Sequence, residues 1–249
     1  MSKIDDEDVS EFISLVKKSA YTGALTGAGV STDSGIPDFR SPNGLYSKVP
    51  GDIFDLAAFY RNPARYYSIA MKYVHNMGEN NPNDTHIMLF LLEKMGYLKG
   101  ISTQNIDGLH KKAGSKNVFE IHGNANIFSC VDCGKKYTKR ELLSILDDSK
   151  KPLCDCGGII KPEVVFFGEQ LPYEQLKKSE ELALNSELFV VIGTSLSVYP
   201  AAQLPIIAKN NGAKIIIINR TPTELDFIAD YSYRVNLAEF SKKVIETIH

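Results

Sequence analysis

Residues 188–192 read LFVVI and residues 214–218 read KIIII, and these two runs decide the fold class. Both runs are almost wholly apolar and rich in β-branched residues, which is typical of parallel strands buried on both faces. The stretch from Pro200 to Lys209 has the length of a crossover helix between them. Further strands are predicted at residues 21–25, 98–102 and 118–121. The alternation of strands and helices predicts an α/β fold with a parallel sheet.

Helical spacing of apolar residues marks the segments that connect the strands. The first such segment, residues 6–18, has an acidic start. Pro63 suits the first position of a helix, and Asn83 or Asp84 can cap the helix that follows. Another helix is predicted to open at Pro172, and the last one covers residues 239–248.

Length and charge limit the classes of function that need to be considered. A chain of 249 residues makes one large domain, or one domain plus a small one. Its formal net charge of −2 provides no positive field for nucleic acid or an anionic membrane. No apolar stretch reaches the ~18 residues of a membrane span, and the N-terminal residues lack the apolar core of a signal peptide. We expect a cytoplasmic protein that binds neither nucleic acid nor membranes, compatible with a monomeric state.

A glycine-rich turn, GALTGAGVSTDSG, follows the first predicted strand. Its Gly27, Gly29 and Gly35 would let backbone N–H groups and the start of a helix approach a phosphate. Thr32 stands where a dinucleotide fingerprint would have a third glycine, so a turn without a ligand stays open. A loop and helices follow, without the second acidic strand of a dehydrogenase. A bound dinucleotide would therefore not serve hydride transfer.

Four cysteines stand close together in a segment of turn residues and short polar runs. Two residues separate the first pair and one residue separates the second; the cysteines are Cys130, Cys133, Cys154 and Cys156. Two such knuckles about 20 residues apart indicate a structural zinc site with four thiolates. Free thiols or redox disulfides are the alternatives. The segment is predicted to be an insertion outside the parallel sheet.

Taken together, these motifs make the chain resemble the sirtuins, the NAD-dependent protein deacylases. The resemblance rests on motifs that stand in family order over nearly the whole chain: GAGVSTDSGIPDFR from residue 27, TQNIDGLH (103–110), EIHGN (120–124), the cysteine quartet, PEVVFFGE (162–169) and GTSLSVYPA (193–201). It implies a Rossmann-like NAD-binding domain, a helical insertion and an inserted zinc-binding module, with NAD and acyl-lysine in the cleft between them. The implied boundaries are residues 1–40, 96–123 and 165–249 for the first, 41–95 for the second and 124–164 for the third.

The resemblance also implies roles for individual residues. Those expected to contact the NAD co-substrate are Ala28, Gly29, Thr32, Phe39, Arg40, Gln104, Asn105, Ile106, Asp107, His122, Thr194, Ser195, Asn219 and Leu237. Those expected to pair with the substrate peptide by β-augmentation are Val165, Phe166 and Gly168.

Three of these residues are implied to be catalytic. Asp107 would hold the nicotinamide carboxamide in a buried pocket, and Asn105 would orient the ribose or water. His122 would act as general base on the ribose hydroxyls once nicotinamide has left, a task suited to its reference pKa near 6.5. Without the resemblance, a histidine at a strand end is more often a packed or exposed residue. We expect His75, His86, His110 and His249 to be structural or solvated. The implied products are free lysine, nicotinamide and O-acyl-ADP-ribose.

The expected substrate is acetyl-lysine in a protein or peptide. Sirtuins that prefer acidic acyl groups carry a Tyr-x-x-Arg pair, and the corresponding positions here hold Ala70 and Tyr73. This absence predicts acetyl or another neutral acyl group. Mono-ADP-ribosyl transfer to a protein is the main alternative, and an NAD sensor or zinc-ribbon adaptor without catalysis is a third hypothesis.

Overall fold

The computed structural model describes residues 5–149 and 151–248. Their strands are β1 (Thr22–Thr26), β2 (Leu98–Thr103), β3 (Val118–Glu120), β4 (Gly123–Cys130), β5 (Lys136–Tyr137), β6 (Ile160–Val164), β7 (Leu188–Ile192), β8 (Lys214–Ile218) and β9 (Tyr231–Tyr233). Their α-helices are α1 (Asp6–Lys18), α2 (Leu56–Arg61), α3 (Pro63–Tyr73), α4 (Asp84–Lys94), α5 (Leu109–Ala113), α6 (Lys139–Ser149), α7 (Tyr173–Asn185), α8 (Gln203–Asn210) and α9 (Leu237–Ile248). No helix in this part of the chain has the length and apolarity to span a bilayer.

The larger sheet has six parallel strands in the order β3-β2-β1-β7-β8-β9. The two apolar runs of the sequence are β7 and β8, with the predicted bounds. Helices α1, α4 and α9 cover one face of the sheet, and α7 and α8 cover the other. Because both faces are covered, every residue of β1 and β7 is buried. The predicted α/β fold with a parallel Rossmann-like sheet is confirmed.

The smaller sheet has three antiparallel strands in the order β5-β4-β6. It lies within residues 124–164, apart from the first residue of β4, in a segment for which the sequence predicted no strands. Helices α2 and α3 pack against it through an aromatic core that includes Phe59, Tyr67, Phe128 and Phe166. Helix α4 falls inside the predicted helical insertion, yet it packs on the large sheet beside α9. The three segment boundaries stay a prediction.

Most element boundaries match the sequence pattern within a few residues. Pro63 begins α3, and the Asn83 side chain caps α4, as predicted. The glycine turn does not lead into an α-helix, however, but into a 3₁₀ helix over Ala28–Ser34. Helix α8 begins at Gln203 because residues 200–202 form a turn first. The sequence predicted no strand at β9, because its residues, Tyr-Ser-Tyr, form no apolar run.

Candidate active site

A cavity of about 640 Å³ opens at the carboxyl ends of β1, β2, β7 and β8. Ligands of open parallel sheets bind at this edge. The predicted site residues that line the cavity are Ala28, Gly29, Thr32, Phe39, Arg40, Gln104, Asn105, Ile106, His122, Val165, Thr194, Ser195, Asn219 and Leu237. Asp107, Phe166 and Gly168 are not among its lining residues. The fold therefore gathers most of the predicted site from loops that are far apart in the sequence.

The glycine turn forms one wall of the cavity, and it packs directly on the loop after β7. The backbone N–H of Gly29 donates to the carbonyl of Gly193 at 2.8 Å. A Cβ on Gly29 would lie 2.8 Å from that same oxygen, and Gly193 itself has a φ of +64°. Such contacts exclude a side chain at both positions. The sequence predicted that Gly29 lets the backbone approach a phosphate. The structure shows a second reason for glycine here, namely the close packing of the glycine turn on the loop after β7.

Polar side chains line the cavity on both sides of the β1–β7 junction. Gln104 Nε2 donates to Thr194 Oγ1 at 2.9 Å, which ties the loop after β2 to the loop after β7. Arg40 extends from the segment after the glycine turn and donates from Nη1 to Ser197 Oγ at 2.5 Å. The cavity wall that carries Gln104, Thr194 and Arg40 is the part where the resemblance implies that NAD would bind.

His122 lies between β3 and β4, where the chain passes from the large sheet to the small one. Its Nδ1 is 3.0 Å from the carbonyl oxygen of Gln104. Since a carbonyl can only accept, Nδ1 carries the proton and Nε2 has a free lone pair. Burial lowers the pKa of the imidazole below its usual value, and the hydrogen bond to Gln104 only partly opposes this effect. At neutral pH the side chain is a neutral base exposed to the cavity.

Asn105 and Asp107 meet at the hydroxyl of Ser31. Ser31 Oγ donates to Asp107 Oδ2 at 2.7 Å and accepts from Asn105 Nδ2 at 3.1 Å. Asn105 Oδ1 is buried and has no hydrogen-bond partner in the described structure. Burial raises the pKa of Asp107, against hydrogen bonds from the Leu109 N–H and Ser31. The sequence did not single out Ser31 as a site residue, because serine is common in glycine-rich turns that bind no ligand.

In the segment after β6, Val165 lines the cavity but Phe166 and Gly168 do not. The ring of Phe166 is 1% exposed and packs against Phe54 and Phe59, while its N–H donates to Glu169 Oε2 at 2.7 Å. Its neighbour Phe167 is 60% exposed and lines the cavity together with Val165. Gly168 is exposed, with a φ of +98°. The PEVVFFGE motif contains both phenylalanines, but the sequence does not show which of them packs in the core and which lines the cavity.

The four cysteines come together beside the small sheet. All four Sγ atoms lie within 4.8 Å of one another, with 3.5 Å between Cys130 and Cys156 and 3.6 Å between Cys133 and Cys154. A tetrahedral zinc ion with Zn–S bonds of about 2.3 Å requires sulfur separations of about 3.8 Å. Ligand type and spacing therefore fit the predicted structural zinc site.

The other described histidines are buried away from the cavity. His75, His86 and His110 are at most 2% exposed, and none of them lines the cavity. His249 lies outside the described residues. Ala70 and Tyr73, the positions used to predict the acyl group, also lie away from the cavity lining, in or against the aromatic core.

Comparisons with known proteins agree with this architecture. The family model described as "Sir2 family" matches residues 27–200. The chain is 44% identical to an NAD-dependent protein deacetylase of Thermotoga maritima, with 96% of this chain and 97% of that protein covered. A solved complex of Sir2 with a p53 peptide and NAD⁺ superposes with a TM-score of 0.90 at 42% identity, covering 96% of this chain and 98% of that one. A Sir2 variant with a deacetylated p53 peptide and 3′-O-acetyl-ADP-ribose gives 0.91 at 44% identity, with 96% and 98% covered. The motifs and the fold of this chain, together with these relatives, show that it belongs to the Sir2 family.

Proposed function

We propose that this protein is an NAD-dependent protein-lysine deacetylase that yields free lysine, nicotinamide and O-acetyl-ADP-ribose. The observation that carries the proposal is the unprotonated Nε2 of His122 in a cavity at the carboxyl edge of a parallel sheet. The names of the Thermotoga maritima relative and of the two Sir2 complexes support the same reaction.

NAD would lie along the carboxyl edge of the large sheet. Asn219 and Leu237 would contact its adenosine end, where β8 ends and α9 begins. The backbone of Ala28 and Gly29 would approach the phosphates, with the Thr194 hydroxyl nearby. Its nicotinamide would then lie toward Asn105 and Ile106. This order follows the succession of strand ends along the sheet.

His122 would remove a proton from a ribose hydroxyl after nicotinamide has left. The proton would go to Nε2, because Nδ1–H is engaged with the Gln104 carbonyl. That carbonyl also orients the ring and can stabilise the imidazolium form. The backbone of His122 is fixed as well, since its own carbonyl accepts the Val165 N–H at 3.0 Å. A base held at both its ring and its backbone needs little reorganisation to act.

The acyl chain of the substrate would meet an apolar part of the cavity. Phe54, Ile106 and Phe167 line it together with Val164 and Val165. An acetyl group would lose little by entering such a surface, whereas a carboxylate would lose its hydration. This surface supports the prediction of a neutral acyl group. Asp107 does not line the cavity itself, so it would act on Asn105 indirectly, through the Ser31 hydroxyl that contacts both side chains.

Zinc would be held by Cys130, Cys133, Cys154 and Cys156. Four thiolates complete the tetrahedral coordination, so the ion would stabilise the fold around β4, β5 and β6 and would take no part in the reaction. A cytoplasmic location, a monomeric state and the absence of nucleic-acid binding stay predictions.

The deciding experiment incubates the protein with NAD and an acetyl-lysine peptide and identifies every product by mass spectrometry. We expect nicotinamide, free-lysine peptide and O-acetyl-ADP-ribose in equal amounts. His122→Ala should abolish the free-lysine peptide and O-acetyl-ADP-ribose, which form after nicotinamide has left, while Lys177→Ala, on the exposed side of α7, should leave both unchanged. An ADP-ribosylated protein as the main product would favour mono-ADP-ribosyl transfer. NAD binding without release of nicotinamide would indicate a sensor.

A further inference from the structure

Two buried histidines lie behind Asn105 and have no place in the mechanism above. His86 on α4 and His110 on α5 are 0% and 2% exposed, and their ring centroids are 4.8 Å apart. Burial lowers the pKa of His86 to about 4 and the pKa of His110 well below its usual value, so both rings are neutral near pH 7. Each neutral ring has one N–H donor and one acceptor, and the position of the proton decides what the ring can hold.

The first hydrogen-bond chain runs from His86 to the side chain of Asn105. The hydroxyl proton of Ser31 goes to Asp107 in the shortest contact of the group, 2.7 Å. Ser31 Oγ can therefore only accept from His86 Nε2, at 3.5 Å, as it does from Asn105 Nδ2. This places the proton of His86 on Nε2 and leaves its Nδ1 to accept the backbone N–H of Asn83 at 3.3 Å. Nδ1 also lies 3.1 Å from Asn83 Oδ1, but with the proton on Nε2 it does not donate there, and Oδ1 accepts the Thr85 N–H at 2.9 Å instead.

The second chain runs from His110 to the backbone of Asn105. Thr26 Oγ1 donates to Thr103 Oγ1 at 2.9 Å and lies 2.9 Å from His110 Nε2. Because the Thr26 proton is used, His110 donates from Nε2. Thr103 Oγ1 accepts the Asn105 N–H as well, at 3.1 Å. All of these groups are buried, so water does not compete for the hydrogen bonds.

The two chains converge on one residue of the cavity wall. Ser31 holds Asn105 Nδ2 and Thr103 holds Asn105 N, so Oδ1 is the polar side-chain atom that remains for a ligand. We propose that His86 and His110 are positioning residues, which fix Asn105 so that Oδ1 accepts a hydrogen bond from a hydroxyl or carboxamide of NAD. The proposal rests on the proposed function, since NAD is the ligand that Asn105 would meet.

The chemistry of His86 allows its two contacts to be separated. His86→Asn places an amide near the former Nδ1, which preserves the contact with Asn83 at the start of α4 and removes the contact with Ser31. His86→Gln places an amide near the former Nε2, which preserves a donor for Ser31 and removes the cap. A positioning role and a purely structural role therefore predict opposite rankings of the two variants.

The measurements are kcat and KM for NAD and acetyl-peptide, together with the melting temperature. We expect His86→Asn to melt within a few degrees of wild type and to lose about tenfold in kcat, with an unchanged KM for peptide. His86→Gln should melt lower and keep its kcat within about threefold of wild type. At position 110 Nδ1 has no hydrogen-bond partner in the described structure, so only kcat should separate the pair: His110→Gln can reach Thr26 and should keep its kcat, while His110→Asn should lose about tenfold. If kcat follows melting temperature through the set, so that His86→Gln is the slower variant, the proposal is wrong.

Nuclear magnetic resonance of the Asn105 side-chain amide separates this proposal from the proposed function. In wild type its two N–H signals should be sharp and protected from solvent exchange. His86→Asn should shift these signals and accelerate their exchange, while His86→Gln should preserve them. This result does not require catalysis, so it holds or fails even if wild type releases no nicotinamide. Unchanged Asn105 signals in His86→Asn would overturn the positioning role.

Discussion

Substitution of Gly29 by alanine tests the cavity wall on which NAD binding depends. The added Cβ would lie 2.8 Å from the carbonyl oxygen of Gly193 and 2.9 Å from its Cα. Both are backbone atoms, so neither can rotate away, and one loop must move by several tenths of an ångström. The movement would also weaken the hydrogen bond from the Gly29 N–H to Gly193.

The expected loss of stability follows from these two effects. Overpacking of a well-packed site costs about 1–3 kcal/mol, and a lost backbone hydrogen bond costs about 0.5–1.5 kcal/mol. We expect the free energy of unfolding to fall by about 2–4 kcal/mol, which leaves a typical domain folded. The displaced loop should raise KM for NAD by about tenfold or more, because small misplacements of binding groups are costly.

Urea unfolding and NAD-dependent kinetics measure the two effects separately. The matched control is Gly51→Ala, where an added Cβ meets no atom within 4 Å and the backbone φ is not positive. This variant should be as stable as wild type, or slightly more stable, with the same KM. If Gly29→Ala behaves like Gly51→Ala in both assays, the tight packing of the glycine loop is refuted.

Four further predictions follow from the site and the core. Because burial lowers the pKa of His122, the acidic limb of the kcat/KM profile, which reports the free enzyme, should lie below pH 6.5; a limb above that value would contradict the assignment. Burial lowers the pKa of His75 to about 4, so its contribution to stability is complete above about pH 6.5. That contribution should fall by up to about 1.4 kcal/mol per pH unit between about pH 6.5 and 4, and urea midpoints that stay constant over this range would disprove it. Metal analysis should find about one zinc per chain; Cys130→Ser should lose it and melt lower, while His122→Ala should retain it. Acetyl-peptide should react faster than succinyl-peptide, and the reverse order would refute the prediction of a neutral acyl group from Ala70 and Tyr73.

The strands that the sequence predicted best are those buried on both faces. In β7 and β8 almost every residue contacts the core, so the apolar run and the strand have the same ends. In β4 buried and half-buried residues are mixed, because turns, cysteines and packing against helices interrupt the alternation. A pattern search has no regular period to find there. The small sheet therefore emerges only from pairing between residues that are distant in the chain.

The site shows a similar division. Motifs identified His122 and the cofactor loop because their residue types are rare and their order is specific. Ser31 and His86 contribute through contacts between loops and helices more than 50 residues apart, which no local pattern encodes. The neighbours Phe166 and Phe167 are chemically identical, and only the register of the segment decides which one enters the core.

The position of His122 has a mechanical consequence. Strand β3 of the large sheet ends at Glu120 and strand β4 of the small sheet begins at Gly123, so only Ile121 and His122 join the two sheets at this crossing. The Nδ1–H of the ring is bonded to the loop after β2, while the His122 carbonyl is bonded to the segment after β6. A rotation of one sheet against the other would stretch these two tethers in different directions. The His122 imidazole would therefore sense a rotation of this kind, and ¹⁵N labelling of histidine would test whether NAD or peptide binding produces one.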